Sequence, residues 1–252
     1  MKLGAIQNWK KFGKQDPYYG VLTDEKYRAK NITEKELKEF FRSGELYVQE
    51  SKKRIELLFD QSLEESSILD FGCGVGRLAI PFAGLSHKNV MGLDVSPEVI
   101  AKANIHKLEM GINNLDLKVF NGVALPTLPT FDFINSYIVF QHIEPSLGYP
   151  LLRQLLENLK PEGILQVQIT YGHSLPHLKY WNFMLRGKVP LYNYVHSFLK
   201  TGRLGAEAVM QMNHYSPGKL FALFSEFSTQ VHVEFTNHGG HLGAFYLLKK
   251  NV

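Results

Sequence analysis

A chain of 252 residues, 44% of them hydrophobic and 21% charged, is long enough for one α/β domain with an insertion and has a soluble protein's composition. The net charge of +4 is small and the basic residues are scattered, which argues against a nucleic-acid-binding surface. The single cysteine, Cys73, excludes an intrachain disulfide and a zinc site built on cysteines. We find no signal peptide and no membrane-spanning apolar run, so we expect a cytoplasmic protein.

Residues 1–62 are predicted to form a helical extension ahead of a domain over residues 63–252. The first 32 residues show no clear periodicity, and Thr33 then opens a capping box that predicts a helix. This helix should end near Ser43-Gly44, and a second should run from about 45 to 59.

Two phenylalanines, Phe40 and Phe41, lie on one face of the first predicted helix. No polar constellation surrounds them in the sequence. We therefore interpret them as packing against the sheet rather than covering a ligand.

A glycine-rich turn follows the first predicted strand. Ile68 to Asp70 closes an apolar run, glycines follow at 72, 74 and 76, and a helical pattern begins at Leu78. Strand, tight turn and helix N-terminus together are typical of loops that hold nucleotide-like ligands, because glycine lets the backbone turn sharply and approach the ligand closely. The turn also fits the dinucleotide pattern G-x-G-x-x-A, but that match alone is weak support for NAD.

Two acids narrow the choice of ligand. Asp70 ends the first strand, where its carboxylate would repel a pyrophosphate and attract an ammonium group. Asp94 ends the next strand, eighteen residues after Gly76, where a carboxylate can accept hydrogen bonds from both ribose hydroxyls. A nucleoside carrying an amino acid satisfies both positions.

Further strands alternate with helical segments along the rest of the chain. Ser96-Pro97-Glu98 is a strong helix start, with a capping residue, proline and an acid in order. A long connection over about 171–215 is interpreted as a partly helical cap that supplies an acceptor pocket. The further strands are predicted at 115–119, 131–137, 164–169, 231–235 and 243–249.

The combination of acid-x-G-x-G-x-G over Asp70–Gly76 with Asp94 resembles the class I S-adenosylmethionine-dependent methyltransferases. The resemblance runs from about Ser66 to the C-terminus and is weakest in the cap. It implies an α/β, Rossmann-like, seven-stranded and mostly parallel sheet whose last strand is antiparallel. It also implies S-adenosyl-L-methionine as cofactor and a methyl-transfer reaction.

By the same resemblance, Asp70 and the glycine loop would hold the cofactor's amino-acid end, Asp94 the ribose, and residues 121–123 the adenine side. Family members often carry an acid where this chain has Asn121, whose amide oxygen can accept a hydrogen bond without charge. The implied cofactor-binding set is Asp70, Gly72, Cys73, Gly74, Gly76, Asp94, Val95, Asn121, Gly122, Val123, Ser136 and Tyr137.

Histidines are the candidate catalytic bases, because imidazole exchanges protons near neutral pH. His142, in the loop after strand four, is the first candidate and His173, after strand five, the second. A structural role remains open for each. The candidate substrate-binding residues are Tyr171, Arg186, Tyr215, His238 and His241.

His238 and His241 flank two glycines. They could suggest a metal site, but two imidazoles without a matching carboxylate make a poor one, so no metal is expected.

A small-molecule oxygen or nitrogen is the most economical acceptor. Residues 135–138 lack the Pro-Pro-Tyr turn common in amino-group methylases of adenine and glutamine, and no added basic domain is visible. The alternatives are methylation of a protein or RNA, non-catalytic cofactor binding, and a nicotinamide-dependent oxidoreductase. No membrane partner is expected, and the oligomeric state stays open.

Overall fold

The computed structural model describes residues 3–176, 185, 189, 192 and 210–251. Within these residues, seven strands form a single sheet. The strands are β1 (Ile68–Phe71), β2 (Val90–Asp94), β3 (Leu115–Val119), β4 (Phe131–Ser136), β5 (Leu159–His173), β6 (Val231–His238) and β7 (His241–Lys249). The helices are α1 (Leu3–Gln15), α2 (Pro17–Val21), α3 (Glu34–Phe59), α4 (Ala79–Leu85), α5 (Pro97–Glu109), α6 (Pro145–Glu157) and α7 (Pro217–Ser225).

The strand order is β3-β2-β1-β4-β5-β7-β6. Neighbours from β3 to β5 are parallel, whereas β7 is antiparallel to both β5 and β6. The predicted seven-stranded, mostly parallel sheet with an antiparallel last strand is therefore confirmed. The order reverses between β1 and β4, and open α/β sheets bind ligands at the carboxyl ends of strands beside such a reversal.

Helices cover both faces of the sheet, as expected for buried parallel strands. On one face, Phe40 and Ile55 of α3 are buried in the same cluster as Ile68 of β1. On the other face, Leu155 of α6 and Phe224 of α7 are buried in a second cluster. The packing interpretation of Phe40 is thus confirmed, while a domain boundary at residue 62 remains a prediction.

Helix α3 runs through the position where the sequence predicted a break. Gly44 was interpreted as a stop signal, but the helix is continuous from Glu34 to Phe59. A methyl group at Gly44 would overlap the backbone carbonyl oxygen of Arg77. Glycine is needed there because α3 passes directly against the loop after β1, and this prediction was wrong for that reason.

No helix in the described part of the chain is both long and apolar enough to cross a membrane.

Candidate active site

A cavity of about 620 Å³ opens at the carboxyl ends of β1 and β2, under α1 and α2. Its volume lies within the range of small-molecule sites. The inner wall consists of Phe71, Gly72, Gly74, Asp94, Val95, Ser96, Val99 and Phe120. The outer wall consists of Trp9, Tyr137, His142, Met210, Met212, His238 and His241.

The backbone of the glycine loop requires glycine at three positions. Gly72, Gly74 and Gly76 have φ angles of +81°, +54° and +88°, which side chains other than glycine rarely adopt. In addition, Val139 lies where a Cβ at Gly72 would stand, and Val21 of α2 where one at Gly74 would stand. The loop is therefore held in a conformation that turns its backbone toward the cavity.

Asp94 lines the cavity and ties the glycine loop to the next turn. Its two carboxylate oxygens accept hydrogen bonds from the backbone N–H of Gly74 at 3.0 Å and of Ser96 at 2.9 Å. Burial raises the pKa of the carboxyl, and these backbone hydrogen bonds oppose the rise. A carboxylate offers about four acceptor positions, so two remain for a ligand.

Asp70 is buried beneath the loop, with 2% of its surface exposed, rather than lining the cavity. Asn135 donates to its Oδ1 at 2.8 Å. The amide oxygen of Asn135 in turn accepts from the Tyr47 hydroxyl at 2.8 Å and from Gln166 at 3.2 Å. The acid at the end of β1 is thus fixed by a buried polar network that includes α3, β4 and β5.

The other oxygen of Asp70, Oδ2, is buried without a hydrogen-bond partner in the described residues. Burial raises the pKa of Asp70 to about 6, opposed by the hydrogen bond from Asn135 and by the Arg77 guanidinium. Nε of Arg77 is also buried without a partner there. An unsatisfied acceptor beside the glycine loop fits the cationic amine of the predicted cofactor, because buried polar groups normally have partners.

His142 is held in one orientation on the outer wall. Its Nδ1 lies 2.6 Å from the carbonyl oxygen of Gln211, which can only accept, so Nδ1 carries the proton. Nε2 is then an acceptor and lies 3.2 Å from the amide nitrogen of Gln141. Thr170 donates to the amide oxygen of Gln141 at 2.8 Å, which fixes that amide.

The environment of His142 keeps the imidazole neutral. Burial lowers its pKa to about 4, although the hydrogen bond to Gln211 opposes this. The Trp9 ring meets the imidazole edge-on, with centroids 4.9 Å apart and planes at 61°. At neutral pH the ring is therefore a weak base with its lone pair on Nε2.

Helices α1 and α2 cover the cavity; the sequence predicted a helical extension over residues 1–62 but neither these two helices individually nor their position over the site. Trp9, Phe12 and Gly13 of α1 and Val21 of α2 line it. A side chain at Gly13 would collide with Ser96 at the start of α5, which shows how closely α1 lies on the site. The apolar spacing of α1 from residue 6 through 9 to 12 and 13 was the signal that could have revealed this face. Met210 and Met212 carried no comparable local signal.

Some of the predicted cofactor-binding residues line the cavity and others do not. Gly72, Gly74, Asp94, Val95 and Tyr137 line the cavity, whereas Asp70, Cys73, Gly76 and Ser136 do not line it. Asn121, Gly122 and Val123 also lie off the cavity, and Phe120 lines it instead.

A local turn explains why the side chain of Asn121 lies off the cavity. The side-chain oxygen of Asn121 accepts from the backbone N–H of Val123 and Ala124 at 2.8 and 3.0 Å, closing a turn. The amide oxygen of Asn121 is thus used in this turn, and the expected role of residues 121–123 on the adenine side stays a prediction.

Only some of the candidate substrate-binding and catalytic residues line the cavity. His142, His238 and His241 line the cavity. His173 lies off it, with its ring 5.4 Å from that of His214. Arg186 lies outside the described residues.

Neither of the two candidate tyrosines lines the cavity. Tyr171 packs its ring on Phe235 with centroids 6.2 Å apart. Tyr215 is buried, its hydroxyl donating to the Ile143 carbonyl at 2.8 Å, and it fills the space beside Gly148. Its hydroxyl is thus used within the core, and its role as a substrate-binding residue stays a prediction.

The comparison with protein families agrees with this geometry. Residues 68–163 match a family described as a methyltransferase domain. That range includes the glycine loop, both acids and His142.

Two curated relatives each match less than half of the chain. A ribosomal protein L11 methyltransferase of Pasteurella multocida is 30% identical over 111 residues, which make up 44% of this chain and 36% of the relative. A ubiquinone biosynthesis O-methyltransferase of Cereibacter sphaeroides is 33% identical over 99 residues, 39% of this chain and 38% of the relative. The chain thus spans little more than a third of the length of these curated relatives.

Among solved structures, magnesium protoporphyrin IX methyltransferase of Synechocystis PCC 6803 with bound S-adenosylmethionine matches with a TM-score of 0.62. The match covers 99% of this chain and 98% of that one at 12% sequence identity. The two proteins share a fold.

Proposed function

We propose that the chain is a class I S-adenosylmethionine-dependent methyltransferase that transfers the methyl group of S-adenosyl-L-methionine to a small-molecule oxygen or nitrogen; the match of residues 68–163 to a methyltransferase domain and the shared fold support this. The observation that carries the proposal is that one cavity under α1 and α2 is lined by Asp94, by the glycine loop and by His142. An acceptor and a cofactor in one enclosed volume gain reactivity from proximity and from exclusion of water.

In this proposal the inner wall holds the cofactor. Asp94 would accept from the ribose hydroxyls with the lone pairs that its backbone contacts leave available. Oδ2 of Asp70, which has no partner among the described residues, would attract the amine through the glycine loop. Phe120 and Val95 would pack against the adenine. Bound S-adenosylmethionine would supply a methyl group on a cationic sulfur, which keeps the electron pair of the bond that breaks.

His142 would act on the acceptor side. Because Nδ1 donates to Gln211, Nε2 is the atom that can take a proton from an acceptor hydroxyl. The hydrogen bond from Gln141 to Nε2 is long at 3.2 Å, so an acceptor hydroxyl could replace it at small cost.

The test is calorimetric titration of Asp94→Ala with S-adenosylmethionine. Loss of charge-assisted hydrogen bonds to the ribose, worth roughly 1.5–3 kcal/mol each, should weaken binding at least about tenfold. Asp116→Ala is the matched control, since Asp116 is an acid on β3 with 56% of its side chain exposed. Asp94→Asn keeps one acceptor oxygen for the backbone and guards against a general loss of structure.

Melting curves of all variants accompany the titration. Wild-type affinity in a folded Asp94→Ala protein would contradict the cofactor assignment. With binding established, transfer of a labelled methyl group to a small-molecule panel tests the activity. Binding without transfer to any acceptor would favour a non-catalytic protein.

A macromolecular acceptor is the second candidate, because one relative is a ribosomal protein L11 methyltransferase. Activity that appears only with a co-purifying protein or RNA, and falls steeply with salt, would favour it. An absorbance assay for reduction of a nicotinamide cofactor would distinguish the oxidoreductase alternative from a methyltransferase.

A further inference from the structure

The outer wall of the cavity is almost devoid of formal charge. Among the described residues that line the cavity, Asp94 on the inner wall is the only acid, and no lysine or arginine lines it. Burial lowers the pKa values of His142, His238 and His241, so these imidazoles are neutral at pH 7. A carboxylate or phosphate on the acceptor would lose its hydration here without gaining a cation.

The same wall presents flat and polarizable surfaces. The Trp9 ring lies against His142, and the sulfur of Met210 accepts from the Thr23 hydroxyl at 3.5 Å, which links residue 210 to the segment after α2. Met212 also lines the cavity. Thioethers make favourable contacts with aromatic rings and adapt to irregular shapes. Tryptophan favours offset or edge contacts with another ring.

Among the polar groups of this wall, His142 favours an acceptor with an acidic hydroxyl. Nε2 of His142 is an acceptor, but burial lowers the pKa of the imidazole to about 4, so it is a weak base. A weak base removes a proton efficiently only from a donor that is itself comparatively acidic. Phenolic hydroxyls, with a pKa near 10, meet this need better than aliphatic ones.

We infer that the acceptor is an uncharged aromatic molecule whose ring packs between Trp9 and the methionines Met210 and Met212, with its hydroxyl directed to Nε2 of His142. The inference rests on the proposed methyltransferase function and narrows its substrate class.

The experiment compares three probes on the 252-residue chain saturated with S-adenosylhomocysteine. The probes are 2-naphthol, 2-naphthoate and the saturated alcohol decahydro-2-naphthol, each titrated by calorimetry at pH 7.5. We expect 2-naphthol to bind at least tenfold more tightly than 2-naphthoate and several-fold more tightly than the saturated alcohol. Equal or tighter binding of the carboxylate, or no binding of any probe, would overturn the inference.

Met212→Lys provides the converse test. A cation on the outer wall should reduce the preference for 2-naphthol at least tenfold or reverse it, whereas Met212→Leu, which keeps an apolar side chain, should retain it. An unchanged preference in a folded Met212→Lys protein would contradict the charge argument.

Trp9→Ala should weaken 2-naphthol binding and leave the affinity for S-adenosylhomocysteine within twofold. The titration of S-adenosylhomocysteine itself comes first. Its failure would count against the proposed function, whereas its success with no preference among probes would reject only the acceptor class.

Discussion

The buried carboxylate of Asp70 predicts an unusual dependence of stability on pH. Burial raises its pKa from 3.8 to about 6. A carboxyl that is harder to ionise when folded stabilises the fold below pH 3.8, and this contribution is lost as the pH rises through about 6. At 1.36 kcal/mol per pH unit, the full cost of ionising Asp70 in the folded state is ~3 kcal/mol.

The comparison of wild type with Asp70→Asn isolates this cost. Between pH 5 and pH 7 the wild type should lose about 1.3 kcal/mol of unfolding free energy that the variant does not lose. Other groups, including His142 and Asp94, titrate in both proteins and largely cancel in the difference. The amide is also uncharged, so the variant should bind S-adenosylmethionine more weakly even where it is relatively more stable.

Urea denaturation followed by circular dichroism at half-unit pH intervals measures the difference. Asp116→Asn is the control for removal of an exposed acid. If the curves of wild type and Asp70→Asn run parallel between pH 5 and pH 7, Asp70 is not a buried ionising acid in the folded protein. The account of its role would then fail.

Three further predictions concern other parts of the molecule. Gly44→Ala should cost about 1–3 kcal/mol in urea unfolding because its methyl group meets the Arg77 carbonyl, whereas Gly84→Ala, with open space around it, should be neutral or slightly stabilising. His142→Gln should lower kcat for an accepted substrate by roughly 10²–10⁴-fold without changing cofactor affinity, and wild-type kcat in this variant would exclude proton transfer by the imidazole. Cys73 should resist thiol reagents in the native protein and react in urea, because burial raises its thiol pKa; rapid native labelling would contradict this.

Local chemistry was sufficient to predict most of the sheet. Apolar runs, turn glycines and capping residues located the strands, although β5 extends over Leu159–His173 and not only the predicted 164–169. The central parallel strands were recognisable because a strand buried on both faces is continuously apolar. Asp94, the last residue of β2, lines the cavity because the carboxyl ends of parallel strands converge at one edge of the sheet; its contact with the ribose stays a prediction. The prediction at Gly44 was wrong because the sequence alone does not distinguish a glycine required for close packing from one that ends a helix.

Tertiary structure decided which polar groups are available to a ligand. The sequence could place Asp70 and Asn121 beside the cofactor, but not show that Asn135 occupies one carboxylate oxygen or that a turn uses the Asn121 amide. Contacts such as that of Trp9 with His142 join segments more than a hundred residues apart. Local patterns determined the strands and the loop that could hold a nucleoside, whereas long-range packing determined what covers that loop and which atoms face the cavity.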